Sequence, residues 1–494
     1  MATPATIAIG LVFYVVLTTA VSFFMMARVR KPADYLVAGR GLPFWVLTGT
    51  ITGTCIGTGS IIGGSALAYH HGWAGCAYPI GLGIGTLITG LAFAKARRYQ
   101  FMTLIEELAC YYDGNRVVAE FSNFSLFFSQ LCWVTVQIKG GAALLGAVTA
   151  LDPKWCVLLA GLAKAAISIP GGIKAVVYTD VIQTVILFFG FGFLTHSALL
   201  QSGGLAGLRQ SMPAEYFSFL GAASFGRWSV LSLILVLVLN PVADPSRRLT
   251  MYAARDDARA KWSMVVSGLL VMIFSVTIGI AGMFTFKLNP NLPVADEALP
   301  WLVAHVLPPW LAAFVVVAIV SGMSSAANGT AAAAGTFFVR HIFPLLMGRY
   351  PKHPVATARW ALGAVFLFST ILALFTGSIV GFVIKFMPLT MSGLALILLL
   401  GRFWKRATWQ GALAALIATP LVSLVAMKFL DNPMLPAALG GTVALVVVSL
   451  LTPPSRRGFD EVAAEMTRQR QHIESPDEPA LPPAASNVST GSTA

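Results

Sequence analysis

The chain has 494 residues, 57% hydrophobic and 11% charged, with a formal net charge of +13 and a mean hydropathy of +0.78. That balance excludes a soluble globule. The five cysteines (Cys55, Cys76, Cys110, Cys132, Cys156) show neither metal-ligand spacing nor a disulfide framework, and the positive charge gathers in short loops, so it does not call for nucleic acid.

Apolar runs recur from end to end and read as an all-α polytopic membrane protein with about thirteen transmembrane helices. The runs cover 6–26, 43–69, 75–95, 117–149, 155–170, 175–199, 228–246, 262–286, 309–338, 359–376, 379–401, 408–427 and 436–452. The first lacks a basic leader and is read as a retained span. Alternate loops differ in charge. One set carries clusters such as Arg28, Arg30 and Lys31, Lys95, Arg97 and Arg98, and Arg247 to Lys261; the other holds only scattered Lys154, Arg209, Arg227, Lys287 and Lys428. The positive-inside rule then puts the N-terminus outside and the C-terminus in the cytoplasm, in the plasma (inner) membrane.

Residues 42–69 read LPFWVLTGTITGTCIGTGSIIGGSALAY. Gly53, Gly57 and Gly59 alternate with Thr52, Thr54, Thr58 and Ser60, which weakens a helix where lipid offers no backbone partner. Two readings stand: a break near 53–57 that frees carbonyls for an ion or solute, and close packing through the Gly49, Gly53, Gly57 spacing.

Residues 103–112 read as a short interfacial helix, and the loops at 211–227 and 290–300 as external lids. In the fourth span Trp133 and Gln137 are four apart and share a face, and Lys139 is an unexpected mid-span cation, as are Lys164 and Lys385. Asp180 follows the turn Pro170-Gly171-Gly172; an acid at that depth is hydrated, paired with a base such as Lys174, or binding a cation. Prolines in LNPVADP (Asn240, Pro241, Asp244, Pro245) interrupt the seventh span. In the ninth, Ser321, Ser324, Ser325 and Asn328 stand at i, i+3, i+4 and i+7, one polar stripe on an alanine-rich helix. Hydroxyl and carbonyl oxygens in such a stripe suit a hard cation; helix packing is the plain alternative. The seven histidines do not converge and no carboxylates pair within the spans, so the chain is not read as an enzyme. Residues 453–466 read as a short amphipathic helix and 475–494 as disordered.

GGIKAVVYTDVIQ, YLVAGRGLPFW and MSSA, in their order along the chain, resemble the sodium:solute symporter family over about residues 10–450. The look is nearest to choline-type carriers, although Cys55 and Ser60 stand where those have the tryptophan and tyrosine of an aromatic cage. The resemblance implies a leucine-transporter-like core with 5+5 inverted repeats, the first helix of each repeat broken. Residues 1–42 would hold an extra helix, 43–199 and 228–401 the two repeats, 402–452 two additional helices and 453–494 a largely disordered cytoplasmic tail. It implies a Na+ site built from carbonyls of Gly53, Ile56 and Ser321 and hydroxyls of Ser324 and Ser325. Asp180 would serve coupling or ion exit, and Ala327 and Asn328 argue for one sodium per cycle. A midplane substrate pocket would draw on Thr54, Cys55, Thr58, Ser60, Trp133, Gln137 and Asn240, with Lys139 leaning the solute toward a carboxylate. The implied function is sodium-coupled import of a small polar organic solute through the lipid bilayer; a solute sensor on the same scaffold and a proton-coupled carrier are the alternatives.

Overall fold

A backbone in lipid must satisfy its own hydrogen bonds, and the computed structural model, which describes residues 4–474 except 28, 30, 150, 378, 431, 455 and 456, meets that demand with helices. In chain order they are α1 (Pro4–Met26), α2 (Phe44–Cys55), α3 (Gly64–His71), α4 (Ala77–Phe93) and the short α5 (Leu104–Tyr111). Next come α6 (Arg116–Thr149), α7 (Pro153–Ser168), α8 (Gly172–Ser202), α9 (Arg227–Ala243), α10 (Pro245–Tyr252) and α11 (Asp257–Leu288). Then follow α12 (Pro309–Phe337), α13 (Pro354–Phe375), α14 (Ile379–Thr390), α15 (Ser392–Phe403), α16 (Trp409–Ala426), α17 (Met434–Leu451) and α18 (Phe459–Glu474), and shorter helical pieces at Pro32–Val37, Gly204–Gln210, Ala222–Phe225, Ala298–Val306 and Phe343–Met347 lie between the numbered ones.

Among the described residues nine helices are long and apolar enough to cross a bilayer, ten when the bent pair α9–α10 counts as one. The other three stretches expected to cross coincide with α2, α7 and α14–α15, helical pieces of 12, 16 and 12 plus 12 residues, each shorter than any of those nine.

Both expected breaks are present. Between α2 and α3 the helix stops at Ile56 (φ −99°, ψ 67°) and resumes through a wide turn at Gly59–Gly63. Between α9 and α10 the axis bends by 43° at Asp244, whose carboxylate accepts the Ser246 and Arg247 amides and so caps the second piece. The elements meet where α2 begins and α10 ends: Leu42 donates to the Ala253 carbonyl at 3.0 Å and accepts from the Arg255 amide at 3.2 Å.

α12 is buried along most of its length against α8, α6, α2 and α1. Small residues allow that approach; a Cβ on Gly190 of α8 would come 2.3 Å from the Ala318 Cβ of α12.

The end of the bundle carrying the basic clusters is tied by charge. Adjacent carboxylates on α5 hold different elements: Glu107 receives Arg248 of α10 at 3.2 Å, while Glu106 receives Arg340, just beyond α12, at 2.6 Å and lies 3.5 Å from Arg470 of α18. Burial works to raise the Glu106 carboxyl, but the Arg340 and Arg470 guanidiniums overcome it and hold the group below the usual carboxylate range. α18 is longer than the helix expected at 453–466 and is docked, with Arg470 donating to the Tyr99 carbonyl at 2.7 Å and Phe459 packed on Tyr99 and Tyr111. Residues 475–494, expected to be disordered, lie outside the described residues. At the opposite end the two expected lid loops converge on Tyr69 of α3: Tyr216 donates to its carbonyl at 3.4 Å and the Leu292 amide to its hydroxyl at 3.0 Å.

Candidate functional site

Interrupting α2 brings its backbone against the polar stripe of α12. A Cβ on Gly53 would lie 2.5 Å from Ser325 Oγ and 2.5 Å from Thr184 Oγ1, and one on Gly322 would lie 2.7 Å from the Ile56 carbonyl oxygen. Only hydrogen fits at either position. Ser321, Ser324, Ser325 and Asn328 are all buried. Ser325 faces the Asp180 carboxylate without meeting hydrogen-bond geometry, and the Tyr14 hydroxyl of α1 faces Ser321, Ser324 and Asp180. Among the described residues, Ser321 Oγ, Ser325 Oγ and both Asp180 oxygens are buried without a hydrogen-bond partner. Lys174, the base offered by the sequence as a partner for Asp180, is instead bonded to Asp34 at 2.9 Å. A buried oxygen left unpaired is costly, and hydroxyl and carboxylate oxygens are the donor types that a hard cation takes.

The stripe divides below this cluster. Ser168 of α7 donates to Asn328 Oδ1 at 2.5 Å, so Asn328 serves a contact between α12 and α7 rather than the cluster.

Beside the cluster, on the other side of the break, lies a narrow cavity of about 20 Å³, room for roughly one water-sized group. Six expected residues line it: Thr54, Cys55, Ser60, Trp133, Gln137 and Asn240. Ser60 Oγ caps the interrupted helix by donating to the Cys55 carbonyl at 2.9 Å. Trp133 Nε1 and Asn240 Nδ2 both point at Met391 Sδ, at 3.2 and 3.4 Å.

Two expected residues are elsewhere. Thr58 donates its amide to Gln137 Oε1 at 2.9 Å, but its side chain packs on Gly140 and does not line the cavity. Lys139 turns away altogether: two positions past Gln137, about 200° around the helix, it faces Asp296 in the loop before α12. Burial holds that carboxyl above the usual range, with the Ile379 amide and Lys139 pulling it back only in part.

The cation in the cavity is Arg247, which the sequence offered only as one of a basic loop cluster. Seven residues separate it from Asn240, but the break at Asp244 falls between them, so helical spacing gave no direction for its side chain. Thr184 and Tyr14 were also not anticipated, although the sequence carries a signal for each: Thr184 shares a helix face with Asp180 and Gln183 at i, i+3 and i+4, and Tyr14 with Thr18 and Ser22 at i, i+4 and i+8.

A family model described as "Sodium:solute symporter family" matches residues 35–419. The sodium/pantothenate symporter of Haemophilus influenzae is 24% identical over 89% of this chain and 95% of its own length. The high-affinity choline transporter 1 of Drosophila melanogaster is also 24% identical, over 87% of this chain and 69% of its own. Among solved structures, a substrate-bound, outward-open Na+-coupled sialic acid symporter superposes with a TM-score of 0.79 at 19% identity, covering 91% of this chain and 99% of that one.

Proposed function

Because the chain belongs to the sodium:solute symporter family, we propose that it couples an inward flux of sodium to the import of a small polar organic solute by alternating access. It is an integral membrane protein of a transporter family. The observation that carries the reading is the set of buried oxygens, on Ser321, Ser325 and Asp180, without partners among the described residues near where the α2 break meets α12. We assign sodium to the carbonyls of Gly53, Ile56 and Ser321 and the hydroxyls of Ser324 and Ser325, with Asp180 beside them as the group that carries the ion onward. With Ala327 apolar and Asn328 engaged by Ser168, one sodium per cycle is favoured. The basic end is assigned to the cytoplasm and the N-terminus to the outside.

The coupling is a linkage. Sodium bridging α2 and α12 stabilises the arrangement in which the solute pocket is formed, so each ligand raises the other's affinity by the same factor. The membrane potential adds about 2.3 kcal/mol per charge per 100 mV to inward movement. Loss of sodium to a sodium-poor cytoplasm releases α2 from α12 and lets the two halves rock.

The test is uptake into proteoliposomes of labelled monocarboxylates, amino acids, pantothenate and sugars, under a sodium gradient or a proton gradient. Accumulation driven by sodium alone is expected. Equal accumulation under a proton gradient replaces the ion, and sodium-dependent binding without accumulation makes the protein a sensor.

A further inference from the structure

Arg247 is a buried charge to which the symport reading gives no task. It is 4% exposed and stands on the first turn of α10, immediately past the bend. Three bonds fix its guanidinium plane: Nε donates to Cys55 Sγ at 3.2 Å, and Nη1 to Asn240 Oδ1 at 2.9 Å and Asp244 Oδ2 at 2.8 Å. Nη2 makes no hydrogen bond to any described residue, and the side chain lines the cavity. Asp244, which lines the same cavity, has both oxygens engaged: Oδ1 accepts the Ser246 and Arg247 amides, and Oδ2 accepts Arg247 Nη1. The cavity therefore presents a pre-oriented guanidinium donor with no spare carboxylate to satisfy it.

We infer that Arg247 anchors a carboxylate of the transported solute, an inference that rests on the symport reading. A guanidinium held rigid on one edge loses little entropy when the other edge takes an acceptor, and charge-assisted bonds are the strong ones. It repels a quaternary ammonium, in keeping with the missing cage positions at Cys55 and Ser60. The charges also account for coupling. Arg247 and Asp244 already neutralise one another, so an incoming carboxylate brings an unbalanced negative charge into the bilayer, which is costly. Sodium supplies the missing positive charge from the other side of the same break: Cys55 contacts Arg247, and the next residue, Ile56, turns its carbonyl to α12. Solute and ion are thus each poorly bound alone.

The experiment uses the full chain in proteoliposomes with an inward sodium gradient and labelled propionate, pyruvate, pantothenate, glucose and choline. Propionamide, which lacks the charge, serves as competitor against propionate. One or more of the acids is expected to accumulate, and where propionate does so the amide competes on the order of 100-fold more weakly. Arg247→Gln is expected to raise the KM for the acid by about 30-fold or more, Arg247→Lys to restore part of it, and Lys139→Gln to leave it unchanged. Retention of a sodium-dependent rise in Tm shows that the Arg247 variants are folded. Uptake of none of the acids, or an unchanged KM in Arg247→Gln, overturns the anchor, and sodium-driven uptake of glucose or choline in its place leaves symport standing. Movement of every probe independent of sodium, with no sodium-dependent Tm shift, overturns symport and the anchor together.

Discussion

Ser325→Ala is expected to weaken sodium by about 30-fold while leaving insertion and the unfolding temperature in the absence of sodium unchanged. The Ser325 hydroxyl is buried, has no hydrogen-bond partner among the described residues, and lies between the Gly53 backbone and Asp180. Removing it breaks no bond within the protein, so the fold has nothing to lose. A cation there loses one of roughly five or six oxygens, worth about 2 kcal/mol for a charge-assisted contact. The measurement is the sodium concentration for half-maximal uptake, checked by the sodium-dependent shift in Tm. Ser324→Ala should act in the same direction, since Ser324 shares the Tyr14 side of the cluster. If both variants keep the parent's sodium dependence, the ion is bound elsewhere.

Glu107→Gln attacks the basic end and should destabilise by about 3–5 kcal/mol. Glu107 and Arg248 are both completely buried. The carboxylate takes Arg248 Nη2 at 3.2 Å, Tyr111 at 3.0 Å and the Tyr252 hydroxyl, while Arg248 Nε and Nη1 have no partner among the described residues. Besides Glu107, the Arg248 guanidinium meets the face of Phe93, 3.9 Å from its Cζ. Taking away the counter-charge strands a guanidinium in the interior, so the penalty is desolvation of an unpaired ion rather than loss of one bond. The double variant Glu107→Gln/Arg248→Met should regain much of the loss, because it removes both charges. Thermal unfolding in detergent distinguishes the cases: a single variant as stable as the parent, or a double variant worse than the single, contradicts the pairing. Because α5 also holds Arg340 and Arg470 through Glu106, the same replacement tests whether this short helix couples α10 to the α12 end of the bundle and to α18.

Much of the site was legible because its signals are local. Glycines among threonines at 53–59 and prolines at 241 and 245 mark where a helix in lipid stops closing its own bonds, and both interruptions are found there, at Ile56 and Asp244. The interval between Ser321 and Ser325 puts their side chains on one face, and the same helical arithmetic groups Trp133 with Gln137. It equally separates Lys139 from Gln137, and that reading was available before any fold was known. Thr58 is different: its position in the break gave no direction for its side chain, and Gly140 on another helix gave it a place to pack.

The sequence alone determined that the chain crosses a membrane many times, where its helices break and which faces of α12 and α6 are polar, since hydropathy and backbone satisfaction depend only on near neighbours along the chain. Tertiary structure decided which of those groups meet. Asp180 lies 145 residues before Ser325 in the chain yet faces it, and Arg247 is turned from a basic cluster into the cavity by the 43° bend at Asp244. The direction a broken helix takes is set by what packs against it, because the break removes the local hydrogen bonds that would otherwise have fixed it.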